Sequence, residues 1–108
     1  NISVSKKGGT IMIIINVLLK VIPAKREEYL TYVENLVNKS LQDEGNVFYS
    51  HFEDIYQKNQ FMIVENWANQ AAVEAHNKTD HLQDFLKNIG TYLVEDCKIN
   101  VAVTDTEG

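Results

Sequence analysis

The segment IMIIINVLLKV, Ile11 to Val21, places the tightest limit on the fold. It is rich in β-branched residues and reads as a strand. Side chains along a strand alternate between two faces, and here both faces are apolar, as in a strand covered on each side. The apolar run is interrupted at Asn16 and falls far short of the ~20 residues that cross a membrane as a helix. A chain of 108 residues has room for one domain with a modest core. Its helices can cover one face of a sheet and leave little for the other. The second face therefore calls for a partner, most simply a second copy of the chain. Asn16 has two readings. A buried amide satisfied by backbone is the more common case; a hydrogen-bonding group in a pocket is the other.

The rest of the chain supplies such a sheet and its helices. Residues 1–10, NISVSKKGGT, show no periodicity and read as a flexible extension; residues 11–108 read as the domain. Pro23 suits a helix start. Tyr29, Leu30, Val33, Leu36, Val37 and Leu41 then recur at helical spacing, predicting a helix over Lys25 to Leu41 that stops at Gly45. Asn46 to Glu53 and Gln60 to Trp67 predict two strands joined as a hairpin. On the first of these, Phe48, Ser50 and Phe52 share one face, and Val47, Tyr49 and His51 the other. Asn69 to Gly90 predicts a helix broken near Asn77-Lys78-Thr79, and Glu95 to Val103 a fourth strand followed by a polar tail. The order β-α-β-β-α-β is the ferredoxin-like arrangement: α+β, with a four-stranded antiparallel sheet and both helices on one face.

Composition excludes several functions. A net charge of −5 argues against a broad nucleic-acid surface. The single cysteine, Cys97, leaves no internal disulfide and no cysteine-based metal cluster. The lack of a membrane span, and of a small-residue cleavage site after the apolar run, leads to the expectation of a cytoplasmic protein. There is no Gly-rich phosphate loop, nucleotide fingerprint or G-x-S-x-G elbow, so no flavin or nicotinamide cofactor is expected.

The stretch FMIVENWANQAAVEAHNKTDH, Phe61 to His81, concentrates the chemistry. Phe61, Ile63, Glu65 and Trp67 share a strand face. Asn69 is a good N-cap for the next helix, which carries His76 near its end. A second cap at Thr79 or Asp80 places His81 in the following first turn. On an unbroken helix these histidines would lie roughly 140° apart around the axis, which is not the i,i+4 geometry of a helical metal site. No metal is expected. A lone histidine is more often a cap or surface residue than a catalyst, and a lone tryptophan more often core. The set Glu65, Trp67, His76 and His81 stands out because one strand–helix unit delivers all four.

With VLLKVIPAKREEYLTYV, DEGNVFYSHFED and FMIVENWANQAAVEAHNKTDHLQDF in this order, the chain resembles the antibiotic biosynthesis monooxygenase (ABM) family over about Met12 to Val103. The acidic-Gly turn before the second strand and the Glu-x-Trp, His, His pattern are its more specific parts. The resemblance implies a homodimer in which two sheets face each other as an α+β barrel, and a pocket between sheet and helices. Members include cofactor-independent monooxygenases of quinols and aromatic polyketides, haem-degrading enzymes, and enzymes of a small signalling sugar derivative. Carried over onto matching positions, His76, His81 and Glu65 are the catalytic candidates. Trp67, Asn16 and Tyr49 are substrate-binding candidates, with Phe52 and Phe61 as apolar walls. The haem-degrading branch uses an Asn, a Trp and a proximal His; Leu86 stands where that His belongs, which argues against haem turnover.

The implied reaction has a physical basis. Triplet oxygen reacts sluggishly with a closed-shell neutral phenol. Deprotonation makes a quinol or phenol a far better electron donor, and an imidazole is a suitable base near neutral pH. The expectation is a cofactor-independent monooxygenase acting on a small aromatic substrate with oxygen. The rival is a non-catalytic dimeric module that binds a small ligand or regulates a partner. What separates them is whether the polar groups converge on one cavity.

Overall fold

The computed structural model describes residues 10–106; the extension expected over residues 1–10 lies outside them apart from Thr10. Four strands are present: β1 (Thr10–Lys20), β2 (Asn46–Glu53), β3 (Gln60–Trp67) and β4 (Lys98–Thr106). The helices are α1 (Arg26–Ser40), α2 (Gln70–Asn77) and α3 (Asp80–Asn88). All strand pairings are antiparallel, in the order β2-β3-β1-β4. This is the ferredoxin-like α+β arrangement expected from the sequence.

Two boundaries differ from expectation. Pro23 opens a short 3-10 turn, Pro23–Lys25, that tightens the entry to α1. β4 starts later and runs on to Thr106, because each of its residues from Lys98 pairs with β1. The break between α2 and α3 falls where it was predicted. The Thr79 side chain accepts the backbone N–H of Leu82 and caps α3, and Asn69 caps α2 by accepting from Ala72.

The two faces of the sheet have different fates. Ile13, Ile15, Val17 and Leu19 on β1, and Val21 just after it, are buried with Tyr29, Val33 and Leu36 of α1 and with Phe85 of α3 in one core. Each such side chain removed from water contributes on the order of 1.5–3 kcal/mol. β3 shows the same alternation, with Phe61, Ile63, Glu65 and Trp67 buried. The opposite face carries Ile14, Leu18, Met62 and Val64, half-buried, with Phe48 and Phe52 exposed. No helix among the described residues is long and apolar enough to cross a membrane.

Candidate functional site

Cross-strand register sets the floor of the site. Tyr49, Glu65 and Ile15 lie side by side across β2, β3 and β1, and Val101 of β4 completes the row. Trp67 is two residues from Glu65 on the same face, so its indole reaches back along the strand. Its Nε1–H donates to Glu65 Oε1 at 2.9 Å. Glu65 is 5% exposed. Burial disfavours its charged form and raises its pKa to about 7, although the indole bond pulls the other way. Tyr49 packs edge-on to Trp67 and to His76, and burial raises the pKa of its hydroxyl.

His76 descends onto this floor from the last turn of α2. Its ring lies 4.4 Å from that of Trp67, centre to centre, and Nε2 stands 3.9 Å from Glu65 Oε1. Its other nitrogen, Nδ1, is 2.7 Å from Asp43 Oδ2. The same carboxylate oxygen is 2.8 Å from His81 Nε2, at the start of α3. Asp43 thus takes a proton donor from each imidazole and fixes both rings. This leaves His76 Nε2 buried and without a hydrogen-bond partner among the described residues. Burial lowers the pKa of His76 and Asp43 partly restores it, with the nearby His81 lowering it slightly.

Gly45 holds the Asp43 turn against the helix. Its φ of 82° lies in the left-handed region that favours glycine. A side chain there would collide with the Ala72 methyl on α2. The Gly45 carbonyl also accepts the Ala68 N–H, tying the turn to the end of β3.

A cavity of about 360 Å³ opens beside these groups, between the sheet and α2–α3. Its walls are mostly aliphatic, with Ile13, Ile15, Val17, Ile63, Val73 and Leu82 prominent. Tyr49, Glu65 and His76 are its inner polar groups, and no lysine or arginine among the described residues lines it. Ile99 and Val101 of β4 form one side and are 51% and 61% exposed. Asp43, His76 and His81 also place three potential metal-ligating atoms within 4.8 Å of one another. The 2.7 and 2.8 Å separations are hydrogen-bond distances. Ligands of a tetrahedral ion with ~2.1 Å bonds sit about 3.4 Å apart. The cluster therefore fits two N–H donors on one carboxylate better than a metal cage.

The family model for antibiotic biosynthesis monooxygenase matches residues 12–88. The chain belongs to the ABM family. "Putative monooxygenase YcnE" of Bacillus subtilis (strain 168) is 41% identical over 69% of this ABM protein and 79% of its own length. The uncharacterized protein sll1783 of Synechocystis sp. is 28% identical over 88% of this chain and 65% of its own. A conserved protein from Methanosarcina mazei Go1 superimposes with a TM-score of 0.82 at 19% identity, covering 86% of this chain and 92% of that one. The last comparison establishes the fold.

Of the residues singled out in the sequence, this ABM protein gathers Glu65, Trp67, His76, His81 and Tyr49. Trp67 is fully buried behind Glu65 and does not line the cavity. His81 joins the network through Asp43 and through its ring, 5.9 Å from that of His76 centre to centre, and also stays off the cavity wall. Three residues are elsewhere. Asn16 pairs with Val64 and Asn100 on the helix-free face, the wrong side of the sheet. Phe52 pairs with Met62 on that same face and is 50% exposed. Phe61 is on the helix side but six residues down β3 from Trp67, roughly 20 Å away at strand rise. There it stacks on His51, whose Nε2 bonds the Tyr29 hydroxyl. Asp43 was not foreseen. Its signal is the acidic-Gly turn in DEGNVFYSHFED, whose Asp43 carboxylate reaches two histidines far along the chain.

Proposed function

We propose that this ABM-family chain is a monooxygenase that uses molecular oxygen on a small uncharged phenol or quinol, with His76 as the base. The observation that carries the reading is His76 Nε2: buried, without a hydrogen-bond partner among the described residues, and on the wall of an apolar cavity. Asp43 holds the N–H tautomer at Nδ1, which leaves the lone pair on Nε2. A phenol hydroxyl seated against Nε2 gives up its proton there. The resulting phenolate supplies electrons to oxygen, so the reaction as proposed requires neither flavin nor metal. Aliphatic walls keep water from the reactive intermediate. No cation among the described residues stands on the lining to pair with a carboxylated or phosphorylated substrate beside Glu65, and this favours a neutral aromatic. The soluble unit proposed is a homodimer, supported by the apolar helix-free face and by the exposed β4 residues Ile99, Val101 and Val103.

The test is oxygen uptake over a panel of hydroquinones and naphthols, run with and without a chelator. Replacing His76 by Ala should lower turnover roughly 10²–10⁴-fold, the usual size of a general-base effect. Wild-type turnover should rise with pH through the His76 pKa, which lies below the ordinary histidine value. A His76→Ala variant as fast as wild type sinks the base assignment. Activity that vanishes with chelator and returns with one metal replaces the mechanism with a metal-based one.

A further inference from the structure

We infer that Glu65 is the proton donor for oxygen–oxygen bond cleavage in this site, with Trp67 as the residue that positions it. The inference rests on the monooxygenase reading above and adds a second catalytic group to it. A base alone does not complete such a reaction. Oxygen addition to the phenolate carbon leaves a peroxide on the ring, and His76 can return its proton to give the hydroperoxide. To reach the quinone, the ring carbon must lose its hydrogen and the O–O bond must break. The C–H electron pair becomes the second bond of the new carbonyl, His76 takes the proton, and the distal oxygen leaves. As hydroxide it is a poor leaving group in an apolar cavity; with a proton added it departs as water. One phenol and one dioxygen give one quinone and one water, the ring losing four electrons and dioxygen gaining them.

Glu65 has the placement that this step demands. It lines the same cavity as His76 and approaches no lysine or arginine among the described residues. Oε1 is committed to the Trp67 indole at 2.9 Å, and Oε2 makes no hydrogen bond among the described residues. The proton therefore belongs on Oε2. The 3.9 Å gap between Oε1 and His76 Nε2 is too long for a hydrogen bond, so acid and base are not spent on each other. It is short enough for the two to exchange a proton once the product leaves, which resets both. Burial keeps the carboxyl protonated well above the ordinary glutamate range, as a general acid at neutral pH requires. A purely structural acceptor for the indole would need neither the cavity wall nor a free second oxygen.

The experiment follows oxygen consumed, 1,4-naphthoquinone formed and hydroperoxide accumulated with 1-naphthol as probe. The proteins are wild type, Glu65→Gln, Glu65→Asp and Trp67→Phe, each checked for folding by circular dichroism. Glutamine keeps the acceptor for the indole and cannot give up a proton. The expected result for Glu65→Gln is continued oxygen uptake with quinone per oxygen falling from about one to below about a tenth, the balance as hydroperoxide. Glu65→Asp, which retains an acid, should recover part of the coupling. Trp67→Phe, which frees the carboxyl to turn, should be intermediate. Quinone per oxygen near one in Glu65→Gln, at a rate within about threefold of wild type, overturns the proposal. So does a folded Glu65→Gln that takes up no oxygen, because the acid acts after oxygen adds. If wild type itself takes up no oxygen with any phenol, the monooxygenase reading fails first.

Discussion

Replacing Glu65 by Gln also makes a stability prediction that is independent of turnover. The folded chain holds the Glu65 proton to about pH 7, against an ordinary value of 4.5. At 1.36 kcal/mol for each tenfold change in proton affinity, this corresponds to roughly 3 kcal/mol by which ionising the buried carboxyl weakens the fold. Below pH 4.5 folded and unfolded chains both carry the proton, and the group costs nothing. Between 4.5 and 7 the unfolded chain releases it first, so stability falls as pH rises. Above 7 both are ionised and the full cost remains. Glutamine is neutral throughout and still accepts the indole N–H. The groups facing Glu65 are Tyr49 and Trp67 from the sheet and His76 from α2. Tyr49 stays neutral over this range, its pKa being raised. His76 acts with the opposite sign: its lowered pKa removes stability as pH falls below the unfolded value of 6.5. That effect is present in both proteins and cancels in their difference, apart from the coupling across 3.9 Å. Urea unfolding of both at pH 5, 6, 7 and 8, at one protein concentration because self-association shifts the midpoint, should give curves that nearly coincide at pH 5. At pH 8 the Gln variant should lead by about 2–3 kcal/mol. A difference that stays flat from pH 5 to 8 would refute the reasoning.

Three further outcomes are expected. Asp43→Asn removes the charge that supports His76, so kcat should fall about 10–100-fold, and the acid limb of the pH–rate profile should move to lower pH; an unchanged profile would detach Asp43 from the base. Gly45→Ala should destabilise the fold by about 1–3 kcal/mol, measured by denaturant titration, since alanine meets both the positive φ and Ala72. Sedimentation at micromolar concentration should give a dimer with an interface on the order of 2,000 Å², and a stable monomer there rules the dimer out.

Much of the fold was legible because periodicity does not depend on distant contacts. The alternation over Phe61 to Trp67 placed Glu65 beside Trp67, and the caps at Asn69 and Thr79 put His76 and His81 at neighbouring helix ends. Asp43 was hidden because its partner His76 is 33 residues away. What joins them is the packing of Gly45 on Ala72, a contact that leaves only a glycine in the sequence.

The outward turn of Phe52 has a different cause. Alternation correctly grouped Phe48, Ser50 and Phe52 on one face of β2 and Tyr49 and His51 on the other. It does not say which face meets the helices. That is decided by the hairpin, which sets Glu53 opposite Phe61 and so Tyr49 opposite Glu65. Were the connection one residue shorter, Phe52 would oppose Phe61 and turn inward, and Tyr49 would turn out, because a single-residue slip moves every side chain to the other face. A hairpin inferred only from its two flanking strands leaves that choice open. The irregularity between Asn46 and Phe48 compounds it. Asn46 lies opposite Trp67 and Phe48 opposite Asn66, so counting residues from the Gly45 end reverses the faces obtained from the hairpin end. The polar floor of the cavity thus depends on one extra residue in β2, and Tyr49 reaches the site only because the hairpin end sets the register along the strand.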